Sequence, residues 1–176
     1  EINLQNSLEV SQLCPDSLPF SSCSGGNLPG VNRSVFQGVV SMIPCDDWQI
    51  IVAEQNRAEV LNLNDPGGDS RIHVEAFLNN SSGECNSSPQ LGLLTLPFVC
   101  VGNDFFYNLS FTDPDGDSLA YALTPAITST QADMPENMDY QAGYTPNSPI
   151  DNLEFDLSTG QMKMNPSLEG KFTVVV

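Results

Sequence analysis

The stretch RIHVEAFL, residues 71 to 78, sets Ile72, Val74, Ala76 and Leu78 at alternate positions. Side chains of an extended chain alternate between two faces, so this period of two spells a strand with one apolar and one polar face, not a helix. Working outward, SVFQGVVSMI (34–43) and DWQIIVAEQ (47–55) repeat the mixture of β-branched and aromatic residues between Pro, Gly, Asn or Asp. Further on, QLGLLTLPFVCV, DFFYNLSFT, SLAYALTP, LEFDLS, QMKMNP and GKFTVVV read as short strands with turn punctuation. No stretch carries a capped helical period. The expected fold is all-β, two tandem antiparallel immunoglobulin-like or cadherin-like β-sandwiches. The small polar run NNSSGECNSSPQ (79–90) separates them, giving domains 1–82 and 83–176.

Charge narrows the function. The 176 residues hold 22 acids against 5 bases, a net charge of −17. Nucleic-acid binding needs Lys and Arg to displace counterions, so a nucleic-acid partner is excluded, while divalent cations are attracted wherever carboxylates converge. The apolar runs GVVSMI and FTVVV are strand-sized, so no membrane insertion is expected within the segment. The chain begins without Met and stops inside KFTVVV, which reads as a piece of a longer polypeptide with its second sandwich cut short.

Five cysteines without a CxxC pair and a single His make a poor zinc set. The short separations Cys14 to Cys23 and Cys85 to Cys100 suit loop-closing disulfides, with buried thiols as the alternative, and Cys45 is left over.

Between two expected strands lies FTDPDGDSLAYAL (111–123), in which Asp113, Asp115 and Asp117 alternate around Pro114 and Gly116. Such spacing lets hard oxygen donors converge on Ca2+, and the glycine permits the tight turn. The spacing is not that of an EF-hand, since Gly116 stands fourth in the loop and Thr124 occupies the place of the bidentate Glu. The alternative is a solvated turn whose carboxylates cap their own backbone. A weaker echo, NDPGGDS (64–70), offers Asn64, Asp65 and Asp69. The long segment 125–150 carries Tyr140 and Tyr144, which suit either sugar stacking or anchorage of the loop onto a sandwich. Trp48 reads as a core tryptophan and His73 as a surface residue of its strand's polar face. No nucleophile or orienting acid accompanies His73, and no motif singles out a glycosidase pair among the 22 acids, so no catalytic residue is assigned.

NLSFTDPDGDSLAYAL followed by FDLSTGQMKMNPSLEGKFTVVV resembles the cadherin-like, immunoglobulin-like repeat of very long bacterial surface proteins. EVSQLCPDS, CSGGNLPG, PCDDWQI, GECNSSPQL, FVCVG and YQAGYTPNSPI are similar to ectodomains of Bacteroidota cell-surface and gliding-motility-associated proteins exported by type IX secretion. Where such proteins often carry a Cys-Cys-Arg-Asn run, this sequence reads Gln55-Asn56-Arg57-Ala58, which removes the thiol partners of Cys45. The resemblance implies a cell-surface stalk or adhesin module whose partners are neighbouring domains, neighbouring filament subunits or polysaccharide. An accessory carbohydrate-binding domain of a secreted enzyme is the alternative. Five N-x-S sequons, at Asn32, Asn79, Asn80, Asn86 and Asn108, and two Asp-Ser-Leu triplets mark sites for glycans.

Overall fold

A computed structural model describes residues 2–55, 57–65, 71–83, 85–92, 96–129 and 134–176. Among them the chain is built from strands, with only two short 3-10 turns at Pro15–Phe20 and Ser22–Ser24. The all-β expectation holds at that level. The strands form four small antiparallel sheets among the described residues.

Strand β1 (Asn3–Glu9) pairs with β2 (Asn32–Gln37) through a register shift between Leu4 and Asn6. Strand β3 (Trp48–Glu54) pairs with β4 (Ile72–Leu78), Val52 opposite Val74 and Ala53 opposite His73. Strands β5 (Phe105–Asn108), β8 (Glu154–Phe155) and β9 (Gln161–Met164) form one sheet in the order β5-β9-β8. Inside the long 125–150 segment a hairpin appears that composition did not announce, β6 (Ile127–Ser129) against β7 (Pro135–Asn137).

The β8–β9 hairpin shows how the sequence directs local structure. In FDLSTGQM, Asp156 Oδ1 accepts from the Ser158 amide and hydroxyl (2.8 and 2.6 Å) and from the Thr159 amide (3.2 Å), tightening the turn. Gly160 then adopts φ +68° with the Tyr121 ring lying where a Cβ would stand, so only glycine fits. The following alternation QMKM points Met162 and Met164 inward and Lys163 outward to Glu154 at 3.1 Å.

Two apolar clusters result. Ile150, Met162 and Met164 gather Phe105, Tyr107, Phe155, Phe172 and Val174. Leu63, Ala126 and Met138 gather Val60, Tyr140 and Val175. The final segment, expected as a regular strand, has no strand ladder but lies between the clusters, with Phe172 and Val174 toward one and Val175 toward the other.

Residues 60–64 fall within the first expected domain, yet they are bonded into the second. Leu61 N–H donates to Lys171 O (2.8 Å), Asn64 N–H to Asp139 O (2.8 Å) and Gln141 N–H to Asn62 O (3.1 Å). Asn62, with no exposed surface, donates through Nδ2 to Pro149 O (2.9 Å) and Thr173 O (2.7 Å) and accepts the Thr173 amide on Oδ1 (2.9 Å). One buried amide thereby fastens three lengths of chain far apart in sequence.

The alternation in RIHVEAFL is present, but its burial is inverted. Ile72, Val74 and Ala76 are exposed and His73 is buried, its side chain fully enclosed. Phe77 and Gln49 on the His73 face are exposed, so burial there is confined to the β4 end near β6. At that end Arg57 Nη2 donates to Arg71 O (3.0 Å) and Ile127 O (2.7 Å), and Arg71 N–H donates to Thr128 Oγ1 (3.2 Å). This end of β4 is thus tied to β6, a contact that local sequence does not encode. Trp48 is half-buried and outside both clusters, donating through Nε1 to Ile43 O (3.0 Å).

Candidate functional site

The aspartate turn is built from its own backbone outward. Gly116 takes φ +83°, the left-handed conformation that a side chain disfavours, and its N–H donates to Asp113 O (3.3 Å). Asp113 Oδ1 then accepts the amides of Asp115 (2.9 Å) and Asp117 (3.2 Å). These bonds form the self-capping arrangement expected of an Asp-led turn. Asp113 is half-buried, while Asp115 and Asp117 are exposed.

The turn also grips another part of the chain. Asp115 Oδ2 accepts the Ser87 amide at 2.6 Å, and Gln90 and Thr112 exchange two backbone hydrogen bonds of 2.7 and 3.0 Å. Ser87 and Gln90 lie in the stretch of the polar run that opens the second expected domain. The same aspartate loop that sequence marks for cations is therefore a clasp within that domain, holding its first residues against the loop. A carboxylate accepting an amide makes a charge-assisted bond, roughly twice as strong as a neutral one.

All three side chains offer the hard oxygens that Ca2+ prefers. Their oxygens are not gathered, however: among the described residues the one set of three such groups with ligand atoms within 4.8 Å of one another is Cys45, Asp46 and Asp47. For Asp113, Asp115 and Asp117 to share an ion, Asp113 must keep Oδ1 on its amides and turn Oδ2 toward Asp117, or give those amides up. In the Cys45 group the thiol donates to Asp47 Oδ1 at 2.8 Å, and the Cys45 amide donates to Asn80 Oδ1 at 2.7 Å.

Of the weaker set, Asn64 is exposed and Asp65 half-buried, whereas Asp69 lies outside the described residues. Asp65 sits within electrostatic reach of Arg57, whose guanidinium burial pulls below its usual range while Asp65 pushes it back. That carboxylate already has a cationic neighbour.

Tyr140 and Tyr144 are both half-buried and turned to the interior. Tyr140 packs on the Leu63 cluster and its hydroxyl accepts the Ala126 amide (3.2 Å), while Tyr144 meets Phe172 edge-on at 5.9 Å. This is the anchoring arrangement of the two weighed for the loop. His73, expected at the surface, is instead enclosed with neither ring nitrogen hydrogen-bonded, Glu75 lying 3.6 Å from Nε2. Cys14, Cys23, Cys85 and Cys100 are exposed thiols and Cys45 a half-buried one, and neither expected pair is bridged.

Sequence reading missed Ser87 and Asn62. Ser87 contributes only a backbone amide, which no residue type announces. Asn62 had no signal either, because the alternation in LNL assigns it to the polar face of an extended chain. No helix among the described residues is long and apolar enough to cross a membrane. No family model matches the chain, and no curated protein and no solved structure matches it either.

Proposed function

We propose that this chain is an extracellular, non-catalytic module of a tandem-repeat cell-surface protein, two immunoglobulin-like sandwiches in series that carry load or contact neighbouring copies. The observation that carries this reading is the clasp of Asp115 on the Ser87 amide, reinforced by the Gln90–Thr112 bridge. A stalk must keep each unit stiff, and here the ordered carboxylate turn fastens the polar run that opens the second expected unit onto that unit's own loop. A ligand-binding module would instead present its loop aromatics, and Tyr140 and Tyr144 are committed to packing. The resemblance of FTDPDGDSLAYAL and FDLSTGQMKMNP to bacterial surface repeats points the same way.

In this reading Ca2+ binds at Asp113, Asp115 and Asp117, stiffening the clasp, and disulfides Cys14–Cys23 and Cys85–Cys100 close under oxidising conditions. The test is thermal melting in calcium and in excess chelator, for the wild type and Asp115→Asn. A ligand held by the folded state alone raises stability by RT ln(1 + [L]/Kd), about 2.7 kcal/mol at a hundredfold excess over Kd. A calcium-dependent rise that Asp115→Asn removes supports the ion. Superimposable wild-type melts sink it and leave the turn as a self-capped clasp.

A further inference from the structure

The two largest fully buried side chains among the described residues, Leu63 and Asn62, belong to the connection between β3 and β4, yet their seat is in the second half of the chain. Residues 60–64 lie between 139–141 and 171–173 and are bonded to both. Leu61 N–H donates to Lys171 O, Asn64 N–H donates to Asp139 O, Gln141 N–H donates to Asn62 O, and Leu63 makes an antiparallel bridge with Tyr140. Side chains add selectivity: Leu63 enters the Ala126–Met138 cluster, Asn62 is bonded on both sides of its amide, and Leu61 lies where a Cβ on Gly170 would stand. Main-chain bonds for affinity and fitted pockets for side chains are how a peptide segment is recognised by a folded partner.

Two features let this segment act as a detachable ligand. Strands β3 and β4 pair with each other from Trp48–Leu78 to Glu54–Ile72, so the segment belongs to the tip of a hairpin and withdraws without breaking that ribbon. Val60 to Asn64 carry no charge, so what the seat buries brings none of the chain's net −17 with it. We propose that the seat also takes residues 60–64 of a second copy, joining two chains by exchange of this segment. Every contact of the exchanged state is one already made within the chain, so the exchange needs no new complementary surface.

Competition sets the balance. The chain's own segment is tethered beside its seat, which gives it an effective concentration of about millimolar. Like charge between copies adds to that handicap, and salt relieves it, since the Debye length falls from about 8 Å at 0.15 M to about 3 Å at 1 M. Separate modules in dilute solution therefore stay closed, and exchange gains where neighbouring copies are held together. That use rests on the array reading above; the seat itself involves neither the aspartate turn nor any cysteine.

The test separates segment from seat in the whole chain, reduced and in chelator at molar salt. Leu63→Asp spoils the segment and leaves the seat, whereas Tyr140→Asp spoils the seat and leaves the segment free. By sedimentation velocity each variant alone should be monomeric, and their equimolar mixture should form a one-to-one dimer. Asn62→Ala added to the Tyr140→Asp chain should weaken that dimer at least tenfold. The end-blocked peptide RAEVLNLND, residues 57–65, should compete with the dimer and bind Leu63→Asp at least tenfold more tightly than wild type, read by anisotropy of a labelled copy. Should Leu63→Asp lose its fold alone, the same occupancy is read as recovery of circular dichroism and of a melting transition when the peptide is added. A mixture that stays monomeric at millimolar concentration overturns the exchange even if the peptide binds, and a peptide that neither binds nor restores Leu63→Asp overturns the seat as well. Because chelator and reductant are present throughout, failure here and failure of the calcium clasp are read separately.

Discussion

Asn62→Ala tests whether one buried amide holds the C-terminal half together. The wild-type side chain makes three hydrogen bonds, two donated to Pro149 O and Thr173 O and one accepted from Thr173 N–H. Each is worth a net ~1 kcal/mol, and a buried group left unpaired costs about 1–3 kcal/mol. Truncation removes all three bonds and strands three backbone groups beside a side chain with no exposed surface. The expected loss is about 3–5 kcal/mol, a large share of the roughly 5–15 kcal/mol that stabilises a domain. Urea denaturation gives the magnitude, and hydrogen exchange gives the location, since the Thr173 amide should lose protection first. Asn103→Ala is the control: its side-chain amide is exposed and, among the described residues, bonded to Val101 O alone, so a change within about 0.5 kcal/mol is expected. A loss below about 1 kcal/mol for Asn62→Ala, with Thr173 still protected, would refute the role assigned to this residue.

Gly160→Ala should cost about 1–2 kcal/mol from φ +68° alone and more from contact with the Tyr121 ring, read by denaturant unfolding. Asp156 is held below its ordinary value of 3.8, first by the Ser158 hydroxyl and then by backbone amides. A depressed carboxylate favours the fold above its unfolded pKa, and that contribution fades as pH falls through the folded value. An NMR titration should therefore place Asp156 below ordinary aspartates, and Ser158→Ala should move it upward; an unchanged midpoint would contradict the turn geometry. Under oxidising conditions intact-mass measurement should show the loss of four hydrogens, and peptide mapping should join Cys14 to Cys23 and Cys85 to Cys100.

Strand character was legible where side-chain alternation and turn chemistry agree. FDLSTGQMKM shows both, with Asp156 leading the turn, Gly160 in the left-handed position and Met162 and Met164 buried below Lys163. The hairpin β6–β7 was hidden because its three-residue strands lie in a run of Thr, Gln and Pro whose pairing is fixed by backbone bonds. RIHVEAFL is the instructive intermediate. Alternation named the members of each face correctly, but burial depends on what packs against the ribbon. Here Arg57 bridges the carbonyls of Arg71 and Ile127 at the end of β4 where His73 is buried.

The aspartate turn was legible as chemistry and illegible as architecture. Three alternating carboxylates announce oxygen donors, but nothing in DPDGDS says that Asp115 reaches a backbone amide 28 residues earlier. That contact changes what a cation at this loop could do. An ion held only by a solvated turn would stabilise the turn alone, whereas one held by a turn already clasping Ser87 would also stiffen the run that opens the second expected domain. A cation that needs Asp115 in place would then be linked to the Asp115–Ser87 contact: it would resist opening of that contact by as much as opening weakens the cation's binding.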